Sequence, residues 1–186
     1  MITKNIPNYL TTFRIILIPI IVMSFYLDDD LKYGQRIGAI TFLFASITDF
    51  LDGFLARKYN LVSNFGIMFD QISDKVLIGS VLLMLVKFHK VDEVPCILII
   101  TREFVVAGCR EFLSKIGVAT PVMRLAKIKT CTQMIAITIL LFASVTEDSS
   151  IKLLLGLIGN ICLWCATILT LITGYSYFKI SIKHIS

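Results

Sequence analysis

Charge is scarce in this chain. Asp, Glu, Lys and Arg make up 17% of its 186 residues, whereas 56% are hydrophobic. An average soluble domain carries roughly 25% charged residues, so a surface of this composition would not be wetted normally. Its mean hydropathy of +0.84 points the same way. A disordered chain is excluded, and the composition argues against an ordinary water-soluble globule. Proline and glycine are few, at 4 and 10, which removes collagen-like and low-complexity readings. Histidine is limited to the isolated His89 and His184. The five cysteines, Cys96, Cys109, Cys131, Cys162 and Cys165, are odd in number and sit in or beside apolar runs. They form no disulfide framework, and Cys162-Leu163-Trp164-Cys165 lacks the polar βαβ surroundings of a redox motif. They read as small hydrophobes. The length fits one domain, residues 1–186. Its solvent is expected to be lipid.

Backbone in lipid must satisfy its own hydrogen bonds, so such a chain is helical or a closed barrel. Period-two alternation is absent and the apolar runs are long, which selects helices. The runs predict six spans, at about 10–27, 38–57, 72–89, 94–113, 128–146 and 151–178. Each is near the ~20 residues that cross ~30 Å of hydrocarbon. Polar clusters such as Asp28-Asp29-Asp30 and Glu147-Asp148-Ser149-Ser150 punctuate the connections, and no internal repeat is visible. The expected fold class is therefore all-α integral membrane, with six transmembrane helices behind an interfacial N-terminal segment. Lys4 ahead of an apolar stretch has the look of a signal peptide, but no small-residue cleavage site follows. Asn5-Ile6-Pro7-Asn8 reads instead as a helix start. Gly34-x-x-x-Gly38 offers a surface for close helix packing.

Six spans put both termini on one side. With that side cytoplasmic, twelve Lys and Arg residues fall at cytoplasmic ends and loops, against Lys32, Arg36, Lys87, Lys90 and Lys152 opposite. That satisfies the positive-inside rule. The net charge of +5 is largely a topology signal, and nucleic-acid binding gains no support from it.

The acidic residues are more informative. Seven lie in the outer loops, where water solvates them, but Asp49, Asp52, Asp70, Asp74, Glu103 and Glu111 lie in or at the cytoplasmic half of spans 2, 3 and 4. Ionisable groups at that depth are costly and mark function by default. Asp49 and Asp52 are three apart and Asp70 and Asp74 four apart, so each pair shares a helix face. The connection from Gly53 to Phe69 is expected to reverse the chain and bring the pairs together. Two unit charges about 5 Å apart repel by roughly 3 kcal/mol at an effective dielectric near 20. Several such pairs total on the order of 10 kcal/mol, comparable to the stability of a whole domain. The site must protonate some carboxylates or hold cations. Hard divalent ions, Mg²⁺ or Mn²⁺, suit a set of aspartates alone, and two of them would offset the repulsion. Gly53, Ala56 and Gly66 leave room for a ligand, and Arg57 can clamp a phosphate.

Span 4 carries Thr101-Arg102-Glu103 and Arg110-Glu111, and span 5 opens on Lys127-Ile128-Lys129. Arg102 is deep enough to need either pairing with Glu103 or a wetted cavity. A cavity admitting a small anionic acceptor would explain Arg102, Arg110, Lys127 and Lys129 together. The alternative is intramembrane Arg–Glu pairing with topology-setting lysines.

The stretch Asp49-x-x-Asp52-Gly53-x-x-Ala56-Arg57, eight residues, Gly66-x-x-x-Asp70-x-x-x-Asp74 resembles the signature of the CDP-alcohol phosphatidyltransferase family at every fixed position. The likeness covers most of the chain, because that family is also built from six transmembrane helices and is typically homodimeric. It implies that Asp49, Asp52 and Asp70, with help from Asp74, hold two divalent metals on the diphosphate of a CDP-linked lipid. Asp74 would be the general base, and Gly53, Ala56, Arg57 and Gly66 would line the CDP site. Asn8-x-x-Thr11-x-x-Arg14 puts three polar residues on one face of the first helix. This segment resembles the branch of the family that uses glycerol 3-phosphate, where the helix borders the nucleotide, which brings Asn8 and Thr11 into the CDP-lipid site. In the same branch Arg102, Arg110, Lys127 and Lys129 would bind the acceptor's phosphate. The implied enzyme sits in the bacterial inner membrane and joins CDP-diacylglycerol to glycerol 3-phosphate. Its rivals are a cardiolipin or phosphatidylinositol-phosphate synthase of the same family. A divalent-cation transporter would place its carboxylates mid-span, whereas these sit at one end beside Arg57 and Lys58.

Overall fold

The structure is a computed structural model. It describes residues 6–27, 33–59, 64–118 and 124–184, with side chains for all of these except 6–11, 50–59, 64–68, 70, 124, 126 and 127. Six helices follow one another: α1 (Ile6–Ser24), α2 (Tyr33–Tyr59), α3 (Asn64–Lys87), α4 (Glu93–Lys115), α5 (Arg124–Val145) and α6 (Ser149–Lys183). No strand occurs among the described residues.

Each apolar run of the sequence lies mainly on one of these helices; α2, α4 and α6 outrun theirs at both ends, whereas α1, α3 and α5 start earlier and stop one to three residues before theirs end. The expected reversal between Gly53 and Phe69 is much shorter than the hydropathy implied. α2 continues to Tyr59 and α3 opens at Asn64, leaving 60–63 to connect them. Hydropathy marks where lipid contact ends, and nothing between Gly53 and Tyr59 breaks a helix. Where helices do stop, local chemistry is visible. Asp148 caps α6 by accepting from the backbone N–H groups of Ser150 (2.8 Å) and Ile151 (3.2 Å). Gly117, at φ +74°, takes the left-handed position after α4, and Val118 N–H returns to the Leu113 carbonyl at 2.9 Å.

α1 packs against both α2 and α3, α5 against α6, α2 and α3, and α4 against α6 and α3. The shared core is aliphatic and aromatic: Ile21, Phe42, Leu77, Val81, Leu82, Leu85, Ile99, Ile137 and Leu163 are all inaccessible to solvent or nearly so. The outside is apolar as well. Ile16, Ile40, Phe44, Leu83, Ile97, Phe104, Ile135, Leu154 and Ile172 are all exposed, far beyond what a water-facing surface tolerates. Among the described residues two stretches, Ile128–Val145 of α5 and Ser149–Lys183 of α6, are long and apolar enough to cross a membrane.

One end of the bundle is fastened by surface polar contacts. Lys87 at the end of α3 donates to the Tyr26 hydroxyl (2.6 Å), its ammonium 4.4 Å from the ring centroid. Arg36 near the start of α2 pairs with Glu147 beyond α5. At the same end the Gly34/Gly38 spacing finds its partner within the chain. A Cβ at Gly34 would sit 2.3 Å from the Ser24 carbonyl oxygen, and one at Gly38 2.4 Å from Ser24 Oγ. These glycines bring the start of α2 against the end of α1.

Candidate active site

The buried charged side chains, Arg14, Arg102 and Lys129, lie away from that end, in two groups. The first joins three helices through Arg14 of α1, which is 1% exposed. Its guanidinium lies 2.5 Å from Asp49 Oδ1 on α2 and donates to Ser73 Oγ on α3 at 3.3 Å. A planar fork of donors can reach two acceptors on different helices, which a lysine ammonium does less well. α1 is the helix that contacts both α2 and α3, so its arginine is the side chain placed to link them. Asp74 follows Ser73 directly and is half-buried.

Helical continuity places the other signature residues. α2 is unbroken from Asp49 to Tyr59, so Asp49, Asp52, Gly53 and Ala56 recur at steps that share a face. α3 is unbroken from Asn64, so Gly66, Asp70 and Asp74 line up at steps of four. The side chains of Asp52, Ala56, Arg57 and Asp70, and those of Asn8, Thr11 and Lys127, lie outside the described residues, as do the surroundings of Gly53 and Gly66. Among the described residues no three carboxylate, thiol or imidazole groups converge; of the four aspartates these include Asp49 and Asp74. The donor set nonetheless fits a hard divalent cation. It offers oxygens alone, and the contact with Arg14 is made through Asp49 Oδ1.

The second group joins α4, α5 and α6. Arg102 is 8% exposed, Lys129 5% and Thr173 1%. Arg102 donates to Thr173 Oγ1 at 2.7 Å and to Glu103 Oε1 at 3.2 Å, and Lys129 pairs with that same Glu103 oxygen. Gly174 makes room for the arginine stem, since a Cβ there would lie 2.9 Å from Arg102 Cγ. Lys129 also feels the charge of Asp74, so the two groups are neighbours. Two buried cations thus share one carboxylate, leaving a positive excess within the field of Asp74.

The structure brings Arg102 and Lys129 together, with Glu103 between them. Arg110 stands apart and exposed, because eight residues along α4 carry it about 12 Å and turn it about 80°. Its neighbour Glu111 pairs with Lys115 at 2.8 Å in solvent. The pairing of Arg102 with Glu103 that the sequence allowed is present; what sequence reasoning missed is Arg14 as the partner of Asp49, together with Ser73, Thr173 and Gly174. One signal was available, a row of Thr167, Thr170 and Thr173 at steps of three in an otherwise apolar span.

An all-helical chain with an apolar exterior and a buried layer of acids and bases is a membrane protein with a polar site inside it. The sequence profile of the CDP-alcohol phosphatidyltransferase family matches residues 4–172, and the chain belongs to that family. It is 54% identical over 183 residues to the CDP-diacylglycerol–glycerol-3-phosphate 3-phosphatidyltransferase of Rickettsia felis, with 98% of each chain covered. It is 36% identical over 185 residues to the protein of that name in Bacillus subtilis, with 94% of each covered. The counterpart in Yersinia enterocolitica is 33% identical over 183 residues, covering 96% of each.

Proposed function

We propose that the chain transfers the phosphatidyl group of CDP-diacylglycerol to sn-glycerol 3-phosphate, giving phosphatidylglycerophosphate and CMP. The observation that carries this reading is the pairing of two buried cations, Arg102 and Lys129, around Glu103 within the field of Asp74. A phosphate monoester needs buried positive charge, and its hydroxyl needs a carboxylate close by. Both are found here, on adjoining helices.

In this reading all six helices span the bacterial cytoplasmic membrane as one domain, residues 1–186, with both termini and the site on the cytoplasmic side. The chain is a homodimer. Asn8, Thr11, Gly53, Ala56, Arg57 and Gly66 bind the CDP-lipid, and Arg102, Lys127 and Lys129 bind the acceptor's phosphate, with Arg110, which stands apart on α4, left out of that group. Asp49, Asp52, Asp70 and Asp74 hold two divalent cations, Mg²⁺ or Mn²⁺, which when bound neutralise the diphosphate oxygens. Arg14 fixes Asp49 through Oδ1. Asp74 takes the proton from the acceptor hydroxyl as its oxygen bonds to the lipid-side phosphorus. The bond from that phosphorus to CMP breaks, and CMP leaves with the electron pair. Arg102 and Lys129 keep the acceptor's own phosphate anchored, so the hydroxyl is held rather than diffusing.

Membranes containing the chain, supplied with CDP-diacylglycerol, are assayed in parallel with glycerol 3-phosphate, serine, inositol phosphate and phosphatidylglycerol. Glycerol 3-phosphate is expected to be preferred by at least about tenfold, a modest margin for a site built around a specific acceptor. A chelator should abolish turnover. Preference for any other acceptor overturns the assignment.

A further inference from the structure

Two polar side chains beside the Arg102 group have no hydrogen-bond partner among the described residues. Gln133 is 0% exposed, yet neither its amide oxygen nor its amide nitrogen has a hydrogen-bond partner among the described residues. Thr170 is likewise 0% exposed with an unpartnered hydroxyl. Its neighbours in the threonine row do otherwise: Thr167 donates to the Leu163 carbonyl at 2.8 Å and Thr173 to that of Leu169 at 2.9 Å. Arg102 Nε is buried and unpartnered too. Fully buried amides and hydroxyls are nearly always satisfied, so orphans on adjoining elements call for a missing partner.

Their register says where that partner lies. Gln133 is four residues from Lys129, one turn along the same face of α5, and Thr170 is three from Thr173 on the same face of α6. α5 and α6 pack directly together. Both orphans therefore extend the Arg102–Lys129 group one turn further from the cytoplasmic ends of their helices. An amide offers a donor and an acceptor, and a hydroxyl offers the same. That combination suits a small polyol, whose hydroxyls both give and receive hydrogen bonds.

We infer that Gln133 and Thr170 bind the hydroxyl of the acceptor that is not consumed, and so set the enzyme's selectivity for a polyol phosphate. The inference rests on the acceptor reading above. The phosphate is held by Arg102 and Lys129, the reacting hydroxyl meets Asp74, and the remaining hydroxyl turns to the amide and the threonine. An acceptor lacking that hydroxyl leaves Gln133 unsatisfied and is rejected.

The test compares glycerol 3-phosphate with propanediol phosphate, which keeps the phosphate and a primary hydroxyl but lacks the middle one. The wild-type enzyme is expected to favour glycerol 3-phosphate by at least about tenfold in kcat/KM. Gln133→Leu should lower kcat/KM for glycerol 3-phosphate by at least about tenfold. Turnover of propanediol phosphate should change by less than about threefold, and KM for CDP-diacylglycerol should hold, so selectivity collapses. Thr170→Val, equal in shape and suited to a helix in lipid, should move selectivity the same way and carries the test if the first variant does not fold. Equal loss with both acceptors, as from a trapped water or a packing defect, overturns the inference, as does selectivity that survives both variants. Wild-type membranes inactive with glycerol 3-phosphate overturn the acceptor reading itself; activity with unchanged selectivity overturns only the role of these two residues.

Discussion

Asp74→Asn is expected to abolish turnover while CDP-diacylglycerol still binds. The substitution keeps the shape of the side chain and removes its ability to take a proton. A positioned base contributes about 10²–10⁴ in rate, so kcat should fall by at least about a hundredfold with KM for the CDP-lipid changed only a few-fold. The position favours that role. Asp74 lies on α3 next to Ser73, which receives Arg14, and its charge reaches Lys129. It therefore stands between the group that carries the acidic signature and the group that carries the buried cations. Kinetics on purified protein, with lipid binding followed by CDP protection from unfolding, separate the two effects. Undiminished turnover removes Asp74 from the chemistry.

Arg14→Met is expected to damage both stability and activity. The guanidinium is 1% exposed and its partner Asp49 24%. Removing one member of a buried pair costs about 3–5 kcal/mol; the partial exposure of Asp49 lowers the expectation here to about 2–4 kcal/mol. The bond to Ser73 is lost at the same time, so the polar tie that Arg14 makes from α1 to both α2 and α3 is gone. Adding Asp49→Asn should restore part of the stability, because the stranded charge is then gone, without restoring turnover. Equilibrium unfolding of the wild type, the single variant and the double variant measures this. A single variant as stable as the wild type would show that Arg14 contributes nothing to holding these helices.

Much of the fold was legible in the sequence because lipid leaves a chain few choices. Long apolar runs without alternation must be helices, and all six runs lie on helices. The ends were not legible. Tyr33 to Ile37 and Lys58 to Tyr59 are helical beyond the apolar window of α2, since a helix continues into water wherever nothing breaks it. Gly34-x-x-x-Gly38 declared close packing but not its partner, which proved to be Ser24, only ten residues before Gly34. The site divides in the same way. Carboxylates within largely apolar helices announce themselves by their cost, so Asp49 and Asp74 stand out in the sequence. The link from Arg14 to Asp49 and the place of Thr173 escaped because each depends on a neighbouring helix, whereas the Arg102–Glu103 pairing was open to sequence reasoning. No spacing along the chain records that α1 touches both α2 and α3, or that α6 lies against α4.

The most direct test of a cation-holding site shared by α2 and α3 does not require turnover. Mn²⁺ titrated into the purified, detergent-solubilised protein is followed by electron paramagnetic resonance, beside the variant Asp52→Asn/Asp70→Asn. Two ions should bind per chain, with the spectral broadening of a close pair, and the variant should lose that pair while keeping its helical content. Absence of saturable binding in the wild type, or an unaltered spectrum in the variant, would contradict it.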